Sequence, residues 1–234
     1  MNSATLPDYL TASAFESGYL GGPVCRLKEP DRAADAVACA NENGILLIAC
    51  RTNEDLSAAG FRKIETLVTF EAAFGDLPDK SGLPGVEIRD AGIGDIEACR
   101  ALAVAVLRQN RFHTDPEIPD AAADAMRAAW IENAIRGRAD RVIIAGREGT
   151  ILGFNAVTRH GDALVIDLIA VAAEAQGTGV GRTLVTVMKQ GDSGRRIRVG
   201  TQAANTVSLA FYKSLGFRET GRQDTWHWTP APSR

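Results

Sequence analysis

The sequence predicts an α/β fold on a sheet of mixed strand direction, in a chain of 234 residues that divides into a smaller and a larger part. Three observations lead there. Segments rich in β-branched residues at 142–145, 151–158 and 163–171 follow one another at hairpin spacing, with Glu148-Gly149 and Gly161-Asp162 in the turns, which is an antiparallel meander. After Val171 the pattern becomes helix, strand, helix, strand, so helices are expected on both faces of the sheet. A stretch rich in Gly, Pro, Asp and Ser at 75–85 separates two apolar-patterned regions, and the boundary is drawn between residues 1–83 and 84–234.

Composition bounds the function. With 45% hydrophobic and 24% charged residues, and 26 Lys+Arg against 29 Asp+Glu, the chain is an ordinary globular one. Disorder and collagen-like fibres are excluded, because 23 Gly and 9 Pro occur without a period. The net charge of −3 argues against a nucleic-acid partner held by a basic face. Residues 1–83 carry 7 basic and 12 acidic groups, leaving 19 and 17 for the rest, so a small anionic ligand suits the second part better unless the difference is fluctuation. The first basic residue is Arg26 and no apolar run approaches the ~20 residues of a membrane span, so a cytoplasmic chain without membrane contact is expected. Cys25, Cys39, Cys50 and Cys99 lack metal-ligand spacing, and reduced, mostly buried thiols with no metal site are expected.

The elements follow in order. Residues 86–89 read as a strand, and Gly94-Asp95 opens a helix whose Cys99, Leu102, Ala103 and Val106 share a face. A second helix fits 120–135, with Asp120 as cap, Met126, Trp130, Ile131 and Ala134 on one face, and Gly137 as stop. Beyond the meander come a helix near 182–189, a strand at 197–201, a helix at 206–215 and a strand at 217–228. The first part echoes this ending: strand 45–49, helix 53–59, Gly60-Phe61 and strand 63–70 repeat the order seen around Gly216-Phe217. Either the two parts are related or the order recurs by chance; no chemistry is assigned to residues 1–83.

The segment from Leu168 to Val185 carries the clearest chemistry. It reads as a buried strand, a glycine turn at Gly177, Gly179 and Gly181, and a helix, an arrangement whose main-chain N–H groups cradle a phosphate. A phosphate-binding nucleotide loop would need Lys-Ser/Thr after the last glycine, and a dinucleotide fold would need G-x-G-x-x-G; neither spacing fits. A glycine turn without ligand is the bland alternative. The order Gln176-x-x-Gly179-x-Gly181 after an apolar strand resembles the acyl-CoA loop of the GNAT acetyltransferase superfamily. A second segment, Asn205 through Tyr212 to Gly216-Phe217, resembles the same superfamily's pattern of Asn before a helix, a Tyr seven residues on, then Leu-Gly-Phe. Read structurally, Asn205 is a cap and Leu209, Phe211 and Leu215 are core, which leaves Tyr212 without a necessary role.

A closer resemblance covers nearly the whole chain. Arg111-Phe112, the run Trp130-Ile-Glu-Asn133-Ala-Ile-Arg-Gly137, and Arg198-Val-Gly-Thr-Gln202 leading to Asn205-Thr206, with the short first domain, look like the bacterial TDP-fucosamine acetyltransferases within that superfamily. The resemblance implies a GNAT fold preceded by a smaller, truncated GNAT-like α/β domain, and transfer of acetyl from acetyl-CoA to an amino-deoxy sugar linked to a nucleotide. It implies that strand 163–171 splays at a bulge, so that the backbone of Leu168, Ile169, Ala170 and Val171 meets the pantetheine arm. Gln176, Gly177, Thr178, Gly179, Val180, Gly181 and Arg182 would hold the diphosphate, with Asn205 and Tyr212 completing the donor site. Tyr212 is expected as general acid, since an unperturbed phenol with pKa ~10 carries its proton at neutral pH. Arg111, Phe112, His113 and Asp167 are expected on the acceptor side, Arg111 because a guanidinium grips phosphate in a bidentate way. No general base is evident. A homodimer is implied by resemblance alone. Two alternatives stay open: another amine as acceptor (protein N-terminus, polyamine, aminoglycoside), or a non-catalytic acyl-CoA-binding module.

Overall fold

The computed structural model describes residues 6–78, 82–190 and 196–231. Along the chain run β1 (Leu10–Ala12), α1 (Ala14–Leu20), β2 (Val24–Leu27), α2 (Ala33–Asn43), β3 (Leu47–Arg51), β4 (Arg62–Ala73), β5 (Glu87–Asp90), α3 (Ile96–Val106), α4 (Arg111–Thr114), α5 (Asp120–Asn133), β6 (Arg141–Arg147), β7 (Thr150–His160), β8 (Ala163–Val171), α6 (Val180–Val187), β9 (Arg196–Gln202), α7 (Thr206–Ser214) and β10 (Arg218–Trp228). The mixed α/β class is the one observed, and every element read beyond residue 84 forms with ends displaced by no more than two positions. Residues 79–81 of the expected linker lie outside the described residues.

By contact the chain divides into two compact units. One comprises the chain to Leu67, Gln109–Ala123 and the chain from Arg222; the other comprises Val68–Arg108 and Asp124–Gly221. Strands β4 and β10 each contribute residues to both. This division by contact differs in kind from the 83/84 boundary read from composition, which belongs to the functional proposal.

In the first unit the strand order is β1-β2-β3-β10-β4. β1 is antiparallel to β2, β2 is parallel to β3 (Val24↔Leu47), and β3 is antiparallel to β10 (Ile48↔Trp228). Pro30 opens the turn before α2 and Gly44, at φ +64°, ends it, so this alanine-rich helix lays Ala33, Ala36 and Ala40 on a core with Ile48, Cys50, Phe61, Trp226 and Trp228. The helix expected at 53–59 does not form; a single 3-10 turn at Ser57–Ala59 stands in its place. Polar side chains explain the difference. Thr52 Oγ1 accepts the Glu54 N–H, Asp55 Oδ1 accepts the Ser57 N–H, and Asn53 Nδ2 donates to the carbonyl of Arg222, so local bonds outcompete the helical ladder. The echo between the two ends of the chain is weaker for it.

In the second unit β5, β6, β7 and β8 form an antiparallel meander in sequence order, and β8 pairs in parallel with β9, next to which come β4 and β10. The expected helices on both faces are present. One face buries Ile143, Val157, Leu164 and Ile166 with Val180, Leu184 and Leu215 of the α6–α7 region, and the other buries Val142, Ile144, Phe154, Leu168 and Ala170 with Cys99 and Ala103 of α3 and Ile131 of α5. Cys25, Cys50 and Cys99 are buried, and burial pushes the Cys99 thiol up to about 12.

Candidate functional site

The second unit is organised by an irregularity in β8. Against β7 the register passes from Val157↔Ile166 to Ala156↔Leu168, so Asp167 is an extra residue, a β-bulge. A bulge reverses which face successive residues take. Leu164 and Ile166 lie in the core under α6, whereas Leu168 and Ala170 lie in the core under α3 and α5. Unbroken alternation would have placed all four together. On its other side β8 is registered with β9 only from Ala163↔Arg196 to Ile166↔Val199, although both strands continue. Residues 168–171 therefore extend past the last registered pair, still held to β7 as far as Gly153↔Val171. A strand held on one edge alone offers backbone groups to a ligand on the other.

The glycine turn follows at once. Gly177 and Gly179 take φ +76° and +98°, values that disfavour any side chain, and Gly179 is the residue preceding α6. Gln176 folds back so that its Nε2 donates to the carbonyl of Val171 at 3.1 Å, and Thr178 Oγ1 donates to the carbonyl of Ala175 at 2.7 Å. These bonds fix the turn from within. The first-turn N–H groups of α6, those of Val180, Gly181 and Arg182, have no intrahelical acceptor by helix geometry and point along the positive end of its dipole. Two further glycines let α6 sit close: a Cβ on Gly181 would lie 3.3 Å from the Phe211 ring and 3.5 Å from Val171, and one on Gly153 would lie 2.8 Å from the carbonyl oxygen of Ala170. An orphaned set of amides beside an open strand edge fits a diphosphate joined to an extended arm, the form of acetyl-CoA.

Asn205 caps α7, its Oδ1 accepting the Ser208 N–H at 3.0 Å. About two turns later Tyr212 is buried among Phe70, Phe211 and Phe217, with ring centroids 5.2–6.0 Å away. Burial pushes its phenol well above the ordinary value, so the proton stays on at any physiological pH. Val171, Gln176, Gly181 and the Phe211-Tyr212 pair thus come together in this unit, as do Asp167 and residues of α5. Trp130 Nε1 donates to Asp167 Oδ2 at 2.9 Å, and Arg138 pairs with the same oxygen. Those two donors escaped the sequence reading. Gly137, at φ +112°, bends the chain after α5 and was the signal available.

The remaining candidates belong to the first unit. Asn110 caps α4, accepting the N–H groups of Phe112 and His113. Arg111 is turned inward: Nη2 pairs with buried Glu16 at 2.5 Å, Nη1 meets His227 Nε2 at 2.9 Å, and the guanidinium lies 4.2 Å from the centre of the buried Phe112 ring. His227 Nδ1 in turn meets Asp115 Oδ2 at 2.7 Å, and Arg62 donates to Asp115 Oδ1 at 2.9 Å. For a phosphate to reach Arg111, the pair with Glu16 has to open. His113 is half-buried with Nδ1 2.7 Å from Asn110 Nδ2. Glu16, Asp115 and His227 were not foreseen, since each finds its partner about a hundred positions away in sequence.

Comparison with known proteins gives the following. The family model described as "Acetyltransferase (GNAT) family" matches residues 106–217. Spore coat polysaccharide biosynthesis protein SpsD of Bacillus subtilis is 27% identical over 154 residues, which is 64% of this chain but 53%, about half, of that protein's length. The dTDP-fucosamine acetyltransferase of Escherichia coli O6:H1 is 30% identical over 167 residues, 69% of either chain. Among solved structures, a tandem GNAT protein from the clavulanic acid biosynthesis pathway superposes with a TM-score of 0.62 at 16% identity, covering 92% of this chain and 77% of that one, a likeness of fold. Among the described residues no helix is long and apolar enough to cross a membrane.

Proposed function

The chain belongs to the GNAT acetyltransferase family, and from that membership we propose that it transfers an acetyl group from acetyl-CoA to the amine of a nucleotide-linked amino-deoxy sugar of the dTDP-4-amino-4,6-dideoxygalactose type. The observation that carries the reading is the end of β8–β9 registration at Ile166↔Val199, immediately before the strand that leads into the glycine turn and the N-terminus of α6. The sugar acceptor draws its support from the names of the two relatives, one acting in polysaccharide synthesis and the other on dTDP-fucosamine. Residues 1–83 are proposed as a shortened relative of the domain at 84–234, and a homodimer as the assembly.

Each residue has a task in the proposal. Bound acetyl-CoA supplies an activated acyl carbon. The amides of Val180, Gly181 and Arg182 hold the diphosphate, with Gly177, Thr178 and Gly179 shaping the turn and Gln176 tying it to Val171. The backbone of Leu168 to Val171 lies along the pantetheine arm and donates to the acyl oxygen, which gathers charge as the amine adds. Asn205 sets the start of α7 and with it the place of Tyr212. The Tyr212 phenol passes its proton to the departing thiolate and regains one from solvent, to which the adding amine releases its own N–H proton. Because burial raises that phenol, the transfer is uphill and depends on hydrogen bonds formed when the donor fills the site. Asp167 precedes the Leu168 to Val171 stretch within β8 and pairs with Arg138, on the side where Trp130 of α5 meets it.

The test follows thiol release from acetyl-CoA with a panel of dTDP-4-amino sugars, polyamines and peptides. Turnover with the nucleotide sugar and none with the cations is the expected result. Turnover with another amine transfers the proposal to that acceptor class, and saturable binding of acetyl-CoA without turnover of any amine replaces it with a non-catalytic acyl-CoA module.

A further inference from the structure

The run Trp130-Ile-Glu-Asn133-Ala-Ile-Arg-Gly137-Arg138 has no task in the reaction as described, although it is the most distinctive segment of the chain. We infer that Trp130 and Arg138 are positioning residues that orient the bulge carboxylate of Asp167 to receive the acceptor as an ammonium ion, which gives up one proton to solvent before the neutral amine adds to the thioester. The inference rests on the acetyl-transfer reading and adds to it the acceptor-amine subsite.

Three features of the geometry carry it. Asp167 is the extra residue of the bulge and lies on the α5 side of β8, where Trp130 and Arg138 meet it, one residue before the stretch that runs beyond the last β9 pair. Both donors converge on a single oxygen: Trp130 Nε1–H and Arg138 Nη2 are directed at Oδ2, while Oδ1 has no partner among the described residues. The Asp167 side chain keeps 19% of its surface open, so a ligand reaches the second oxygen. A carboxylate has about four acceptor positions and uses two of them here. Convergent donors on one oxygen fix the plane of the group and so the direction of the other lone pairs, which is how an outer hydrogen bond shapes an inner ligand.

The sequence around α5 serves this geometry. Trp130 sits eight positions before Arg138, a separation of about 12 Å along a regular helix. The chain bends through Ala134–Arg138 at Gly137, where φ is +112° and a side chain is disfavoured, and Arg138 returns to the same carboxylate. Arg138 also lies 5.3 Å from the centre of the Trp130 ring and Arg127 lies 5.4 Å from it, so the indole is braced by two guanidinium groups. Bracing limits the swing of the indole N–H.

The test uses the 234-residue chain labelled with 15N, its variants Trp130→Phe and Asp167→Asn, acetyl-CoA, and two probe amines, dTDP-4-amino-4,6-dideoxygalactose and putrescine. Trp130→Phe deletes one N–H and keeps the ring. It is expected to raise the acceptor KM roughly three- to tenfold with acetyl-CoA affinity unchanged, and to lower the melting temperature no further than loss of one hydrogen bond does. Asp167→Asn is expected to move the Trp130 indole resonance and to abolish amine binding. A Trp130→Phe acceptor KM within about twofold of the parent, or an indole resonance indifferent to Asp167→Asn, overturns the inference. Should the parent bind acetyl-CoA but turn over neither amine, the acetyl-transfer reading fails on its own. The subsite is then decided by binding: an amine-induced shift of the Trp130 indole that Asp167→Asn removes sustains it, and the absence of any shift overturns it.

Discussion

Asp115 accepts the Nδ1–H of His227 across 2.7 Å, and neither side chain reaches solvent. The tautomer follows from the other ring nitrogen. Arg111 has only donors, so Nε2 must be the acceptor of its N–H, and the imidazole is neutral with its proton on Nδ1. Burial is the largest influence on this histidine and holds it below its ordinary value despite the carboxylate beside it.

A pH dependence of stability is the consequence. The folded chain keeps His227 neutral, whereas the unfolded chain takes up a proton below about pH 6.5, so stability falls as pH drops from there toward the lower folded-state value. One such group contributes a slope of at most about 1.4 kcal/mol per pH unit. Urea unfolding at about pH 7.5, 6.5 and 5.5 is expected to show a shallower slope for His227→Asn than for the parent; equal slopes contradict the assignment. Below the ordinary carboxylate range a second loss is expected from Asp115 and Glu16. Burial raises both groups, but His227 with the Glu117 N–H outweighs it at Asp115, and Arg111 with Arg26 outweighs it at Glu16, so each lies below its usual value when folded.

Arg111→Met tests whether the guanidinium is structural. The change strips buried Glu16 of its 2.5 Å partner and leaves it Arg26, itself largely exposed, at 3.0 Å, with Ser13 as a weaker donor. Removing one member of a buried pair costs about 3–5 kcal/mol, and the double change with Glu16→Leu is expected to recover a large part of it. Equilibrium denaturation measures both. A single-variant loss below about 1 kcal/mol contradicts the placement.

Gly153→Ala tests the seat of α6. The new methyl meets the carbonyl oxygen of Ala170 at 2.8 Å, Leu184 at 3.1 Å and Val180 at 3.2 Å, and of these the backbone oxygen has least room to give. Overpacking of this kind costs about 1–3 kcal/mol and moves the helix off the sheet. A lower melting temperature with weaker acetyl-CoA binding is expected, read by thermal melts and calorimetry. Unchanged affinity in a destabilised variant contradicts the link between helix seat and donor site.

Tyr212→Phe separates packing from proton transfer. The ring contacts with Phe70, Phe211 and Phe217 survive the change, so stability is expected to move by less than about 1 kcal/mol. Turnover is expected to fall on the order of a hundredfold or more, with acetyl-CoA affinity retained. Equal turnover removes Tyr212 as the acid.

Much of the second unit was legible because its signals are local. Gly177, Gly179 and Gly216 mark positive φ, and alternation and helical spacing delimit β6 to β10 with α5 to α7. The Asp167 bulge was not legible from alternation, since burial keeps alternating through it while the face changes. Arg111 illustrates the other limit. Its loop context and charge suit a phosphate ligand, but its partner Glu16 lies 95 positions upstream, and no local pattern announces a buried ion pair at that separation. At 53–59 the order shared with the end of the chain suggested a helix, and Thr52, Asn53 and Asp55 diverted the backbone bonds instead.

Calorimetric titration of acetyl-CoA into the parent chain and into Gly181→Val decides whether the N-terminus of α6 is the diphosphate site. The valine meets the Phe211 ring and Val171 and crowds the first-turn amides. Saturable heat in the parent and binding at least about tenfold weaker in the variant are expected. No heat in the parent, or the same affinity in both, contradicts it.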